Sequence, residues 1–256
     1  METLQVDRDA GVVTVTLDRP EVLNAATATT WEEITEVCAE VARNDSDRVM
    51  VITGAGRAFC SGADLSGFEG SDASRLASMR RASGAARAVI RLPKPTIAKV
   101  NGVAAGAGAN LALACDLVVA SVDARFCEIF ARRGLSVDFA GSWLLPRLVG
   151  LHRAKELVLL ADMVSAEDAL GMGLVNRVVP SGELDAFVED WARRLAAGPP
   201  IALSLSKMLL EDGVDSSLDA ALDAEGAAQC YNFSTADIEE AMAAWRDKRD
   251  PRFAGR

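Results

Sequence analysis

Ten consecutive residues, NGVAAGAGAN (101–110), contain three glycines and four alanines, and an apolar run, LALACDLVVA, follows directly. Side chains this small bury little surface of their own. Their value is geometric, because they let two backbones, or a backbone and a ligand, approach more closely than larger residues permit. The stretch 103–120 is the most apolar in the chain, yet it holds Asn110 and Asp116. It reads as a buried helix followed by a strand, not as a membrane span, which needs about 20 predominantly apolar residues.

A second small-residue loop precedes this one. RVMVITG (48–54) has the continuous apolar pattern of a buried strand, and AGRAFCSGADL (55–65) follows it. Around the two loops, strand and helix periodicities alternate. Residues 3–7 and 12–17 read as strands joined by the hairpin signal DRDAG. A helix is predicted over 27–43, with Trp31, Ile34, Cys38 and Val41 on one face, and another near 71–92. LPKPTIAKVNG (92–102) carries the next strand, its prolines marking the entry, and CDLVVAS and ARFCEIF supply two more. This alternation predicts an α/β domain.

From about residue 150 the pattern turns helical. Ser165 and Asp168 form a capping box after HRAKELVLLAD, and Leu184, Phe187, Val188, Trp191 and Leu195 make an apolar stripe. A second box, Ser234 to Asp237, is expected to open a last helix with Ile238, Ala241, Met242 and Trp245 on one face. This all-helical C-terminal third is expected to pack on the α/β core or on a neighbouring subunit.

Composition narrows the function. The chain has 256 residues, half of them hydrophobic, which suits one large domain or one domain with an appendage. Acids outnumber lysine plus arginine by 37 to 27, and the net charge of −10 argues against nucleic acid and anionic membranes as partners. Cys38, Cys60, Cys115, Cys127 and Cys230 are widely spaced and include no C-x-x-C, so neither a disulfide framework nor a metal site is expected. With no basic-then-apolar signal pattern in METLQVDRDAG, the expected compartment is the cytoplasm. The single histidine, His152, would have to serve any catalytic triad, and in VGLHRAKEL it reads as a solvated helix-end residue.

The glycine loops fail the nucleotide patterns. In G-x-G-x-x-G register, Gly106 and Gly108 meet Leu111, Gly54 and Gly56 meet Phe59, and no G-x-x-x-x-G-K-[ST] occurs. What remains is backbone chemistry. Amides at a helix start have no intrahelical acceptor, and the helix dipole there favours negative charge. If amides from the two loops converge, they form an oxyanion hole, in which one donor is worth about 3 kcal/mol in the transition state. Tight strand-to-helix turns would use the same residues, and spacing alone leaves both readings open.

Taken together, LDRPEVLNA (17–25), VITGAGRAFCSGADL (51–65), LPKPTIAKVNGVAAGAGANLALACDLVVAS (92–121), GSWLLPRLVG (141–150) and WRDKRDPRFAG (245–255) strongly resemble the enoyl-CoA hydratase/isomerase (crotonase) superfamily. The segments follow the family's order across nearly the whole chain. The resemblance implies an α/β, crotonase-like spiral of β-β-α turns over 1–195. It also implies a helical C-terminal region over 196–256 that serves oligomerisation and closure of the coenzyme A pocket. The assembly would be a homotrimer or a dimer of trimers. The substrate would be an acyl-CoA thioester, with no metal and no cofactor beyond the substrate's own coenzyme A. The hole donors would be the amides of Ala63 and Ala107. Coenzyme A would lie along Ser61, Gly62, Asp64 and Leu65, with Val22 and Leu23 nearby and Gly106 in the facing loop. Lys248 and Arg249 resemble the basic residues that reach its phosphates, often from a neighbouring subunit.

The acids depart from the hydratase pattern. That pattern implies glutamates at 110 and near 130, where this chain has Asn110 and Phe130. Glu128 comes two residues early; on a continuing strand it shares the face but lies about 7 Å off. Asparagine can hold a water or a carbonyl but cannot take a proton. Asp138, in RRGLSVDFAGSWLLPRLVG, stands where the isomerases of phenylacetate breakdown carry a catalytic aspartate. With that branch the chain shares NGVAAGAGA, an aspartate shortly before G-[ST]-W-L-L-P-R, and a KR-x-P-x-F-x-G terminus. It departs at Val137 and Ala140, where P-D-x-G-G is usual, and at Ala107, where the hole residue is commonly glycine.

Phe130, Phe139 and Trp143 are expected to raise the Asp138 pKa. The competing role for Asp138 is to cap a helix starting near 139–141. The expected reaction is a double-bond shift by proton transfer at Asp138 through a thioester enolate. The alternatives are a hydratase using Asp138, Glu128 or both, with Asn110 placing water, and an acyl-CoA-binding protein with weak or no catalysis.

Overall fold

The chain opens with β1 (Leu4–Asp9) and β2 (Val12–Leu17), paired antiparallel across Ala10–Gly11. Both turn residues have positive φ, 47° and 84°, which matches the turn twist to that of the strands. In the computed structural model, which describes residues 1–66 and 72–256, α1 (Ala28–Arg43) starts at Thr27. The Thr27 hydroxyl accepts from Thr30 N, and the helix buries Trp31, Ile34, Val37, Cys38 and Val41 along one face.

A unit of two strands and a helix then repeats three times. β3 (Val49–Gly54) and β4 (Ala58–Cys60) lead to α2 (Asp72–Ile90). β5 (Thr96–Val100) and β6 (Val103–Ala105) lead to α3 (Ala107–Leu113). β7 (Leu117–Ser121) and β8 (Arg125–Cys127) lead, through a 3-10 turn over Ile129–Arg133, to α4 (Gly141–Leu160). There follow β9 (Val164–Ser165), α5 (Ala166–Met172), β10 (Arg177–Val179), α6 (Leu184–Ala196), α7 (Pro200–Gly213), α8 (Leu218–Phe233) and α9 (Ala236–Asp247). The first strand of each unit joins a six-stranded sheet, β1-β2-β3-β5-β7-β10, and the second joins a four-stranded sheet, β4-β6-β8-β9. The expected spiral of β-β-α turns is therefore present. The passage from each strand of the smaller sheet to its helix falls along one edge, and both small-residue loops lie there.

The predicted stripe on α6 packs as expected. Leu184, Val188 and Ala192 cover Val49, Val51, Ile97, Val119 and Val179 of the large sheet. Ser165 also caps α5 as predicted, accepting from Asp168 N.

Other expectations need correction. The strand ARFCEIF stops at Cys127; Glu128 has φ −83° and ψ 67°, and Phe130 lies in the 3-10 turn, so the pleat argument for Glu128 does not apply. The C-terminal third is not all-helical, because β10 edges the large sheet beside β7. The Ser234–Asp237 box does not form. Thr235 occupies the cap position, and the Asp237 carboxylate instead accepts from Ala254 N (2.7 Å) and Gly255 N (3.0 Å). A charged acceptor gains more from these two tail amides than from one cap. On the apolar face of the last helix, Ile238 and Ala241 are partly buried and Trp245 is 78% exposed in the single chain. The expected helix start at residue 71 lies outside the described residues. No helix among them is long and apolar enough to cross a membrane.

Candidate active site

The first loop is laced to the segment before α1. Ser61 N donates to Leu23 O (3.0 Å), Ala26 N to Gly62 O (2.8 Å) and Asp64 N to Ala26 O (2.8 Å). Successive amides of extended chain point to opposite sides. Ala63 N–H therefore points away from Ala26, and it donates to no backbone acceptor among the described residues. The lacing is braced from both ends. Buried Asn24 donates to Ala55 O (2.9 Å) and Ala58 O (2.8 Å). Asp64 accepts from Ser66 Oγ (2.6 Å) and Ser66 N (3.0 Å) and pairs with Arg19 Nη1 (3.0 Å). The Ser66 bonds, with help from Arg19, hold its carboxyl below the usual range.

The second loop turns at Gly106 (φ 52°, ψ −126°), which ties to β8 through Gly106 N to Cys127 O (2.8 Å). Ala107 is the first residue of α3, so its amide has no intrahelical acceptor. Two glycines record how closely the loops stack. A Cβ on Gly62 (φ 102°) would lie 2.8 Å from Ala105 O and 3.8 Å from Ala107 N. A Cβ on Gly108 would lie 2.3 Å from Cys60 O. Residues 60–62 thus rest directly on 105–108. The Ala63 and Ala107 amides come from touching turns, and neither is taken by a backbone acceptor among the described residues.

Beside α3 the polar groups gather around Asn110. Its Nδ2 donates to Asp138 O (3.0 Å) and to Glu128 Oε2 (3.3 Å). Among the described residues, Asn110 Oδ1 and Asp138 Oδ1 are buried and receive no hydrogen bond. Burial pushes Asp138 up to about 6. Glu128 goes up to about 8, chiefly by burial and further by the Asp138 charge, with the Asn110 bond opposing. The Asp138 side chain does not cap α4. Ala140 holds the cap position with no side-chain cap bond, and Asp138 contributes only its carbonyl, accepting from Gly141 N (2.9 Å).

The remaining expected residues fall in two groups. Val22 and Leu65, 40% and 45% exposed, flank the first loop, and Ser61 Oγ reaches Val22 O (3.4 Å). Phe130 is buried against the second loop, its Cζ 3.5 Å from where a Gly106 Cβ would sit. Trp143 is half-buried on the first turn of α4, with the Arg147 guanidinium 4.1 Å above its ring. Lys248 is exposed at the end of α9, while Arg249 is engaged by Glu240. His152 is exposed, as expected.

A family model described as enoyl-CoA hydratase/isomerase matches residues 7–256. The chain belongs to the enoyl-CoA hydratase/isomerase family. Among its relatives in this family is the 1,2-epoxyphenylacetyl-CoA isomerase of Escherichia coli, 38% identical over 261 residues and covering all of both chains. Another is the short-chain-enoyl-CoA hydratase of Clostridium acetobutylicum, 35% identical over 95% of this chain and 94% of that one. The crystal structure of the enoyl-CoA hydratase of Bacillus anthracis superposes with a TM-score of 0.96 at 32% identity, covering 99% of this chain and 100% of that one. The fold is thus the crotonase fold.

Sequence reasoning undervalued two residues of this enoyl-CoA hydratase/isomerase family member. Asn110 is a clamp on the Asp138 loop, and Glu128 is a buried acid behind that clamp. The available signal was a lone acid among the apolar side chains of FCEIF (126–130).

Proposed function

We propose that the protein is an enoyl-CoA isomerase that moves a double bond through a thioester enolate. The thioester oxygen lies between the Ala63 and Ala107 amides. Asp138 carboxylate removes a proton from the α-carbon of a 3-enoyl thioester, and the electron pair moves onto that oxygen. The same carboxyl returns the proton at the γ-carbon, leaving the double bond between the α- and β-carbons. Each amide supplies about 3 kcal/mol in the transition state. The scheme uses no metal and no cofactor beyond the substrate's coenzyme A, which runs along Ser61, Gly62, Asp64, Leu65 and Val22. Lys248 serves its phosphates.

The observation that carries this reading is the Asp138 carboxyl. It is partly buried, raised to about 6 and unpartnered at Oδ1, whereas position 110 is an amide already committed through Nδ2. A base with that pKa is mostly ionised at neutral pH and still strong enough to take a proton.

A second reading, hydration, rests on two buried acceptors at this site, Asn110 Oδ1 and Asp138 Oδ1, that receive no hydrogen bond among the described residues. One experiment separates the two. Offer cis-3-enoyl-CoA and trans-2-enoyl-CoA to the wild type and to Asp138→Asn. The isomerase interconverts the two and loses about 10²- to 10⁴-fold in the variant. Water consumption on the conjugated substrate marks a hydratase, and saturable binding without turnover marks a binding protein.

The working assembly is proposed to be a homotrimer or dimer of trimers in the cytoplasm. Support comes from α7, which buries no residue in the single chain, and from Leu210, Leu218 and Phe233, each at least 70% exposed.

A further inference from the structure

Glu128 takes no part in the proton transfer described above, and a buried carboxyl with no ion pair among the described residues calls for a reason. It is 4% exposed, and its side chain receives one hydrogen bond, from Asn110 Nδ2. Behind it lies a cavity of about 10 Å³ walled by Leu113 of α3, Phe126 of β8, Leu145 and Leu157 of α4, and Val164 of β9. Among the described residues the titratable groups facing it are Asp138, from the loop before α4, and Cys127, its chain neighbour; α3, α4 and β9 present none there. Arg132, whose charge acts on Cys127, is paired with Asp162 (2.8 Å).

We propose that Glu128 is a positioning residue for Asp138: uncharged, it anchors Asn110 and so fixes the loop that carries the base, and on losing its proton it disables that base. This rests on the isomerase reading of the site. The order of ionisation follows from the surroundings. With Asp138 near 6 and Glu128 near 8, the pair carries one negative charge between those limits, and Asp138 holds it. Above about 8 a second charge appears across one amide. It repels the charge building on the enolate, and by tightening the hold of Asp138 on its proton it slows the return at the γ-carbon.

Two variants separate position from charge. Glu128→Gln keeps an acceptor for Asn110 Nδ2 and cannot ionise. Glu128→Met keeps similar bulk and removes the acceptor. Wild-type kcat/KM for the double-bond shift should fall about fivefold between pH 8 and pH 9, following the second ionisation. In Glu128→Gln the ratio of rates at pH 9 and pH 7 should stay near one. Glu128→Met should lower kcat at every pH with KM unchanged. An alkaline limb retained in Glu128→Gln, or equal kcat in the two variants, overturns the proposal.

A second measurement needs no turnover. Glu128 in the folded chain keeps its proton up to about 8, while the unfolded carboxyl ionises near 4.5. The stability it contributes is full below 4.5 and is lost as pH rises through about 8. The urea midpoint of Glu128→Gln should therefore gain on wild type between pH 5 and pH 9. Midpoints that move in parallel overturn the proposal. A gap in midpoints with no turnover on either enoyl substrate supports an uncharged Glu128 and sinks the isomerase reading alone.

Discussion

At Asp138, burial acts on a carboxyl whose Oδ1 receives no hydrogen bond, so nothing on that oxygen opposes the rise to about 6. As the proposed base, Asp138 works ionised. We therefore expect kcat/KM to rise with pH through about 6, read from initial rates across pH 5–8. Stability runs the other way. A folded pKa above the ordinary 3.8 gives a contribution that is full below 3.8 and lost as pH rises through about 6. Asp138→Asn should thus unfold at a higher urea concentration than wild type at pH 7.5, and at the same concentration at pH 3.5. Asp138 was legible in the sequence because it stands in a long motif. Glu128 was not, because its burial depends on β8 ending at Cys127, and strand ends are set by tertiary contacts that a residue pattern does not encode.

The element that holds Asp138 is a loop with two consecutive left-handed residues, Phe139 (φ 48°) and Ala140 (φ 62°). Phe139 is steadied by its ring, whose centroid lies 4.8 Å from that of Trp31. Ala140 has no such support, and left-handed geometry costs a residue with a Cβ roughly 1–2 kcal/mol. Ala140→Gly should therefore stabilise the chain by about 1 kcal/mol, measured by urea denaturation. Gly141 is different: a Cβ there would lie 2.4 Å from Asn110 Nδ2.

The same reasoning applies to the two small-residue loops. Gly108→Ala drives a methyl to 2.3 Å from Cys60 O and should cost about 1–3 kcal/mol in stability. It should also lower kcat, because Ala107 is its neighbour. The strands, α1 and the α6 stripe were legible because period-2 and period-3.6 patterns report local burial directly. The stacking of residue 62 on residue 105 was visible only as unexplained glycines, since contacts between distant loops leave no periodic trace.

On the scale of the whole molecule, the spiral explains how one edge collects both loops. Each turn sends one strand to each sheet, so the passage into each helix recurs at the same edge. The C-terminal helices were read as helical from sequence, yet α7–α9 leave Leu210, Leu218, Phe233 and Trp245 exposed by 70–78%. Large apolar side chains left this exposed on three consecutive helices point to an interface. Sedimentation should give a multiple of the single-chain mass, and Phe233→Asp with Trp245→Asp should shift it toward one chain.

The central claim is that one carboxylate carries one proton between two carbons while two backbone amides hold the charge. A single-turnover experiment with 3-enoyl-CoA deuterated at the α-carbon tests it most directly. We expect deuterium at the γ-carbon of the conjugated product, and a rate reduced by at least about 100-fold in Asp138→Asn. Product with no deuterium at the γ-carbon, formed as quickly by Asp138→Asn as by wild type, would contradict it.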